Sequence, residues 1–284
     1  MKGMYIMSKA QITHSRIVNG EVTLAVSKTG QGQKLIFFNG FGATQPFWKR
    51  VRGRLSGQYQ VVTFDFRGHG KTSVATDYSF NSFLADAEAV MGVEGHDRPI
   101  LVAHSLGADL AVWYAAAHPG RVAGIFIIDG ALPANLIDDP EGMRRKQSTP
   151  VSRLILALAG LLKPFGIGYR ISSENLTTIL IELNERRKLI LEEYAKLDCP
   201  VELVLAVHTS GVKGARAEKT NPLWRAGGEK LARTYPTLPI QWLESTHLLP
   251  LTKPAEIARS LDDFARRVKV GGPRDHRMRN EIHS

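Results

Sequence analysis

The segment spanning residues 100–108 constrains the fold of this chain more than any other. A short apolar run ends there in a turn of small residues around Ser105, and an alanine-rich helical pattern follows over 109–117. A buried strand that turns sharply into a helix can lift a serine onto a strained, exposed bend. The turn matches the pattern Gly-x-Ser-x-Gly except that Ala103 stands at the first glycine position. The pattern predicts that Ser105 is a nucleophile, and the alternative is a serine that only caps the helix.

Apolar runs that suit buried strands alternate with helical patterns along most of the chain. The predicted strands are a hairpin over 12–26 and then 34–38, 59–64, 100–103, 122–128, 200–207 and 240–243. The predicted helices are 46–55, 79–94, 109–117, 222–235 and 254–268. Strands that alternate with helices indicate an α/β protein with a mostly parallel, doubly wound sheet.

Residues 131–197 break this alternation because they contain no strand-like run. Helical patterns occur there at 151–162, 173–184 and 185–196. We therefore expect an all-helical cap over 131–197, inserted between two late strands of a core formed by 11–130 and 198–268. The segments 1–10 and 269–284 lack apolar periodicity and are expected to be flexible termini.

Composition and charge limit the classes of partner. The chain has 43% hydrophobic and 23% charged residues, as globular proteins commonly do. Its formal charge of +10 is spread over separate basic clusters, with no zinc-finger, RNP or basic-zipper pattern beside them. We expect these clusters to be solvated faces and expect no nucleic-acid partner.

Three further observations bear on location. The single cysteine, Cys199, excludes a disulfide framework and fits a reducing compartment. No run approaches the roughly 20 apolar residues of a membrane span, and the start of the chain lacks a signal-peptide pattern. We expect a cytoplasmic protein without integral membrane association.

A serine nucleophile needs a base and a group that orients the base. Among nine histidines, His247 follows the last predicted strand, at the sheet edge where Ser105 also lies. His104 adjoins the serine, but its side chain leaves the bend in another direction. We predict that His247 is the base, and the alternative is a structural histidine.

The order of these parts resembles the α/β-hydrolase family from about residue 15 to 268. The resembling pieces are Asn-Gly-Phe-Gly at 39–42, Asp-Phe-Arg-Gly-His-Gly-Lys-Thr at 65–72, Ala-His-Ser-Leu-Gly at 103–107 and Thr-His-Leu-Leu-Pro at 246–250. The resemblance implies an esterase- or lipase-like serine hydrolase in which Ser105 attacks and His247 is the base. It also implies an oxyanion hole made of the backbone N–H groups of Phe41 and Leu106.

The acid of the expected triad departs from the family pattern. The family most often places it just beyond the strand 200–207, where this chain has Thr209, and no aspartate occurs between Asp198 and Asp262. Some members, the haloalkane dehalogenases among them, carry the acid one strand earlier, where Asp129 stands. Asp129 is therefore the predicted acid. The alternatives are Glu218 or Glu229 from a folded-back loop, or no acid at all, with Asp129 only capping a turn.

Apolar residues in the cap and nearby loops predict a hydrophobic pocket. The residues expected to line it are Asn39, Phe47, Trp48, His104, Leu158 and Leu248. The expected substrate is a small, apolar ester, thioester or lactone that is hydrolysed through an acyl-enzyme. No cluster has metal-ligand spacing, and we expect no cofactor. The sequence leaves open whether the chain forms a homodimer.

Other activities remain compatible with the same apparatus. They are carbon–carbon hydrolase, haloperoxidase-like or lyase activity, lipase-like action at membrane surfaces, and a non-catalytic member that only binds a ligand. The missing aspartate after residue 207 is the best support for the non-catalytic reading.

Overall fold

The computed structural model describes residues 11–55, 57–146 and 166–271. Eight strands form one sheet within these ranges. They are β1 Thr13–Asn19, β2 Val22–Thr29, β3 Gln33–Phe38, β4 Tyr59–Phe64, β5 Ile100–His104, β6 Gly124–Ile128, β7 Val201–His208 and β8 Ile240–Thr246. Their order across the sheet is β1-β2-β4-β3-β5-β6-β7-β8. Strand β2 runs antiparallel to both of its neighbours, β1 and β4, and strands β3 to β8 run parallel to one another.

Helices connect the parallel strands. They are α1 Lys49–Arg52, α2 Phe80–Glu94, α3 Leu106–Ala117, α4 Pro140–Lys146, α5 Ser173–Lys188, α6 Ile190–Ala195, α7 Ala215–Thr234, α8 Leu249–Thr252 and α9 Pro254–Gly271. Within the described ranges, no helix combines the length and the apolar content that crossing a membrane requires.

The sheet is covered on both faces because its central strands are apolar on both. In β5, Leu101 and Ala103 belong to the larger core cluster, which includes residues of α2, α3 and α7. Ile100 and Val102 belong to a second cluster, which includes residues of α9. Alternate side chains of a strand point to opposite faces, so the uninterrupted apolar run predicted a strand buried on both sides. The predicted α/β class and doubly wound sheet are confirmed.

Three predicted elements have different bounds in the structure. The helix expected over 46–55 is a 3₁₀ turn, Gln45–Trp48, followed by the single turn of α1. The helix expected from residue 222 begins at Ala215 and continues through Pro222. Strand β8 reaches Thr246 because its pairing with β7 continues beyond a bulge between Ala206 and His208.

Residues between β6 and β7 add no strand to the sheet in their described part. They contain α4, α5 and α6, together with two isolated β-bridges, Ala43 with Ile167 and His69 with Tyr169. The predicted helix over 151–162 lies outside the described residues.

Candidate active site

Ser105 occupies a strained turn between β5 and α3. Its backbone has φ 52° and ψ −123°, a conformation that a non-glycine residue adopts only where the surrounding structure enforces it. Its N–H donates to the carbonyl of Ile128 at 3.2 Å, which ties the turn to the end of β6. The serine therefore sits at the edge where the parallel strands end.

Small residues around this turn allow other backbones to approach it. A Cβ on Gly107 would collide with the carbonyl oxygens of Phe38 and Asn39 at the end of β3. A Cβ on Gly40 would lie 3.0 Å from the Cβ of Ser105. The loop that follows β3 consequently lies directly beside the serine.

His247 follows the last residue of β8 and contacts both Ser105 and Asp129. Its Nε2 is 2.9 Å from Ser105 Oγ, and its Nδ1 is 2.6 Å from Asp129 Oδ2. The imidazole is about one-third exposed and the carboxylate is fully buried. A serine, a histidine and a buried acid in this order form the arrangement that activates a hydroxyl for attack.

Asp129 follows β6 and is held by four hydrogen-bond donors. Its Oδ1 accepts from the Ala206 N–H at 2.9 Å and from the Trp224 indole N–H at 2.8 Å. Its Oδ2 accepts from the Thr209 hydroxyl at 2.7 Å, in addition to the contact with His247. Burial by itself would raise the pKa of Asp129, but these hydrogen bonds and the interaction with His247 outweigh it and lower the pKa. The group is therefore a carboxylate at neutral pH.

The other acids considered from the sequence do not contact His247. Glu218 and Glu229 are exposed on α7, and Glu229 is paired with Arg225 at 3.2 Å. Thr209, at the customary acid position, donates to Asp129 and lies 3.2 Å from His247 Nδ1. Thr209 is recognisable from the sequence, but Trp224 is not, since a tryptophan on a helix carries no local signal of a partner 95 residues away.

The resemblance named two backbone N–H groups, those of Phe41 and Leu106, as the oxyanion hole. Leu106 opens α3, where the first N–H groups of a helix have no intrahelical acceptor. Phe41 lies in the turn closed by the Ala43 N–H and the Gly40 carbonyl at 3.1 Å. Among the described residues, neither N–H donates a hydrogen bond to another protein group. Both N–H groups are thus unengaged within this part of the chain, and the oxyanion hole that the resemblance implied at them stays a prediction.

His104 has a different environment from the one expected of a pocket residue. It is 3% exposed, and its Nε2 is 2.8 Å from the backbone carbonyl of His247. Burial lowers the pKa of His104 to about 3, so the neutral ring donates its Nε2–H to that carbonyl. The side chain therefore holds the backbone at His247 and has almost no surface left with which to line a pocket.

Three other expected pocket residues have no accessible surface, which differs from the lining role predicted for them. Asn39, Phe47 and Trp48 are all 0% exposed. The Asn39 amide donates to the Phe64 carbonyl at 2.6 Å and accepts from the Trp48 indole at 2.5 Å. The aromatic pair forms the second half of the 3₁₀ turn Gln45–Trp48 and packs into the core on one face of the sheet, where the Trp48 ring contacts Phe37 of β3.

The two remaining pocket predictions concern leucines. Leu248 adjoins His247 and is partly buried against the same core cluster. Leu158 lies outside the described residues.

Comparison with known proteins identifies the family of the chain. The sequence profile described as the alpha/beta hydrolase family matches residues 35–260, well over half of the chain. The chain belongs to the α/β-hydrolase family. The predicted resemblance is thereby confirmed.

Two curated relatives match part of this α/β hydrolase. The 2-(acetamidomethylene)succinate hydrolase of Mesorhizobium japonicum is 32% identical over 115 residues, which are 40% of this chain and 41% of that protein. The fluoroacetate dehalogenase of a Burkholderia species is 31% identical over 116 residues, 39% of this chain and 38% of that protein. The matches thus span about two fifths of the relatives' length.

A solved structure matches nearly the whole α/β hydrolase. It comes from work on carboxylesterases of the thaumarchaeon Nitrososphaera gargenis and superposes with a TM-score of 0.74 over 90% of this chain and 100% of the other. The two sequences are 17% identical, so this match concerns the fold.

Proposed function

We propose that this α/β hydrolase is a serine hydrolase that cleaves an ester, thioester or lactone bond in a small apolar molecule. The observation that carries the proposal is the continuous set of contacts from Ser105 Oγ through the His247 ring to the Asp129 carboxylate. In this mechanism His247 Nε2 removes the serine proton while Oγ attacks the carbonyl carbon. The proton then passes to the leaving group, and an acyl-enzyme on Ser105 results.

Charge that develops on the substrate oxygen needs donors that are already in place. The free N–H groups of Phe41 and Leu106 supply them in the proposed mechanism. Asp129 accepts a hydrogen bond from the Nδ1–H of His247 and stabilises the imidazolium that forms. A water molecule, activated by His247, then releases the acyl group. No step calls for a metal or a cofactor.

The identity of the nucleophile favours this reaction over dehalogenation. Dehalogenase chemistry of this family requires an aspartate as nucleophile, whereas Ser105 occupies the strained turn here. The non-catalytic reading rested on the missing aspartate after residue 207. The contact of Asp129 with His247 removes that support.

The helical cap over 131–197 is part of the proposal. Its α5 reaches the helix that follows the nucleophile through the buried ion pair of Arg187 with Asp109, at 2.9 Å. Residues 166–170 pair with the loop beside Ser105 through the Gly168 N–H and the Gly42 carbonyl, at 2.7 Å. A segment anchored at both points is suited to cover the substrate. The cytoplasmic location expected from the buried, unpaired Cys199 also belongs to the proposal.

A fluorophosphonate probe tests the nucleophile directly. Wild-type protein is expected to form one covalent adduct that peptide mass spectrometry maps to Ser105, and Ser105→Ala is expected to form none. Ser245→Ala is a matched control, because this serine hydrogen-bonds Thr252 away from His247. Folded wild-type protein without an adduct would refute the proposal.

A substrate panel tests the bond class. p-Nitrophenyl esters of increasing chain length, aliphatic lactones and acyl thioesters would be assayed side by side, with Ser105→Ala as the blank. Apolar acyl groups of medium length are expected to give the highest kcat/KM. The enzyme is assayed before labelling. A folded preparation that reacts with the fluorophosphonate probe but turns over none of these classes would exclude the ester-like substrate while retaining the serine nucleophile.

A further inference from the structure

His69 is a buried histidine that the proposed mechanism does not use. It lies in the turn after β4 and is 1% exposed. Its Nε2 is 2.9 Å from the Gly42 N–H, and its Nδ1 is 2.8 Å from the Arg67 carbonyl oxygen. A carbonyl only accepts and an N–H only donates, so one tautomer satisfies both contacts: Nδ1 carries the proton and Nε2 accepts.

The Gly42 N–H belongs to the central peptide of the turn beside Ser105. The turn spans residues 40–43 and is closed by the Ala43 N–H on the Gly40 carbonyl. Gly42, its third residue, has φ 78°, and a positive φ at this position distinguishes a type II turn from a type I turn. In a type I turn the central peptide is turned over, and its N–H would point away from His69. The imidazole therefore selects the type II conformation.

The Phe41 N–H lies on the neighbouring peptide of the same turn, so it keeps its place beside Ser105 only while the turn itself is held. That N–H belongs to the peptide whose carbonyl accepts from Ala43, and Gly40 is in contact distance of Ser105. A second contact holds the far side of the turn, because the Gly42 carbonyl accepts from the Gly168 N–H. The Phe41 ring also packs against the rings of His69 and Tyr169, each at 5.1 Å.

We propose that His69 is a positioning residue for the oxyanion hole: its Nε2 holds the Gly42 N–H and thereby aims the Phe41 N–H at the reacting oxygen. This inference rests on the proposed function, since it assigns a role in the same site. Burial lowers the pKa of His69 to about 4. The negative charge of Asp86 opposes this lowering, and the positive charge of Arg170 adds to it. The acceptor nitrogen is therefore unprotonated at neutral pH.

Two substitutions separate the acceptor from the volume of the ring. His69→Phe keeps a planar ring but loses the acceptor, whereas His69→Gln keeps an oxygen that can accept from Gly42. Removal of one oxyanion-hole donor commonly costs about 10²–10³ in kcat. A donor that is displaced still contributes more than a donor that is removed, so we expect the lower end of this range. In His69→Phe, kcat per labelled site (kcat divided by the fraction of enzyme that the fluorophosphonate probe titrates) should fall about 10²-fold. We expect His69→Gln to recover at least tenfold of that loss.

The pattern across parameters distinguishes positioning from a structural role. KM is expected to stay within about threefold, and the affinity for a trifluoromethyl ketone is expected to fall in proportion to kcat/KM, because such ketones mimic the tetrahedral intermediate. Met91→Ala, in the buried face of α2, is the matched control for lost stability. It is expected to lower Tm while kcat per labelled site stays unchanged. A His69→Phe variant with a lowered Tm and wild-type kcat per labelled site would overturn the inference.

A measurement on wild-type protein keeps the inference testable if the variants do not fold. The nitrogen-15 shifts of the His69 ring are expected to report a neutral ring with protonated Nδ1 at pH 6–8. A proton on Nε2 would overturn the inference. Failure of the proposed function is distinguishable, because it would appear as wild-type protein that is neither labelled at Ser105 nor active on esters.

Discussion

Replacement of Asp129 by asparagine removes one negative charge and alters which nitrogen of His247 carries the proton. In the wild-type site Oδ1 already accepts from the Ala206 N–H and the Trp224 indole N–H. The asparagine oxygen is expected to take that place, because the amide NH₂ could not accept from either donor. The NH₂ group then faces His247 Nδ1 and Thr209 Oγ1. Nδ1 must then accept a hydrogen bond from this NH₂ group, so the ring proton is on Nε2, and Nε2 cannot deprotonate Ser105.

The magnitude follows from the loss of the base. An enzyme locked in the wrong histidine tautomer loses about 10⁴ in kcat, which corresponds to about 5.4 kcal/mol of barrier. We therefore expect kcat on the best p-nitrophenyl ester to fall about 10⁴-fold at pH 7.5. KM should change by less than about threefold, since Asp129 is fully buried and does not contact substrate. Steady-state kinetics with fluorophosphonate titration of active sites measures both parameters.

A matched control and a rescue variant make the experiment decisive. Asp138→Asn removes an exposed carboxylate that pairs with Lys219 and should leave kcat unchanged. In the Asp129→Asn background, Thr209→Asp restores a carboxylate within reach of His247, because Thr209 Oγ1 is 3.2 Å from Nδ1. We expect this second substitution to recover at least tenfold in kcat. An Asp129→Asn enzyme with more than a tenth of wild-type kcat would refute the assignment of Asp129 as the acid.

Three further predictions concern groups that support the site. Trp224→Phe keeps a ring beside Arg187 but removes one donor to Asp129, and kcat per labelled site should fall about tenfold, the equivalent of one charged hydrogen bond. Arg187→Ala leaves Asp109 buried without its ion-pair partner and should lower the free energy of unfolding in urea by about 3–5 kcal/mol. The double replacement Arg187→Met with Asp109→Leu leaves no unpaired charge and should lower this free energy much less. His69 binds a proton in the unfolded chain below about pH 6.5 but stays neutral in the folded protein down to about pH 4. As the pH falls through this window, the free energy of unfolding measured in urea should therefore decrease by about 1.4 kcal/mol more per pH unit for wild type than for His69→Gln.

The succession of strands and helices could be predicted because each buried strand is a continuous apolar run. Residues 35–38 and 122–128 have no polar position that would fit an exposed face. Helix bounds were predicted less well. Proline favours the first turn of a helix, which led to a predicted start at Pro222. The structure continues α7 for seven residues before this proline, so the missing N–H removes one hydrogen bond from a helix otherwise held by tertiary packing.

The candidate site could be predicted only as far as local patterns reach. Ser105 and His247 could each be predicted from a short local pattern. Ser105 lies in a strand–helix turn, and His247 lies in a loop at the same edge of the sheet. Asp129 was one of several carboxylates compatible with the sequence, and only its distance to His247 separates it from Glu218 and Glu229. The expected lining by Phe47 and Trp48 differs from the structure because large aromatic residues fit a core and a pocket wall equally well by sequence.

The position of the acid has a consequence for how the site is assembled. Strands β6 and β7 are parallel neighbours, and the Asp129 N–H donates to the Val204 carbonyl at 2.9 Å, so the ends of both strands lie beside His247. An acid at residue 209 would be positioned by its own strand. Asp129 instead depends on Ala206 and Trp224, which come after the inserted segment 131–197 in the chain. Its carboxylate is therefore fixed only when β7 and α7 are in place beside the end of β6.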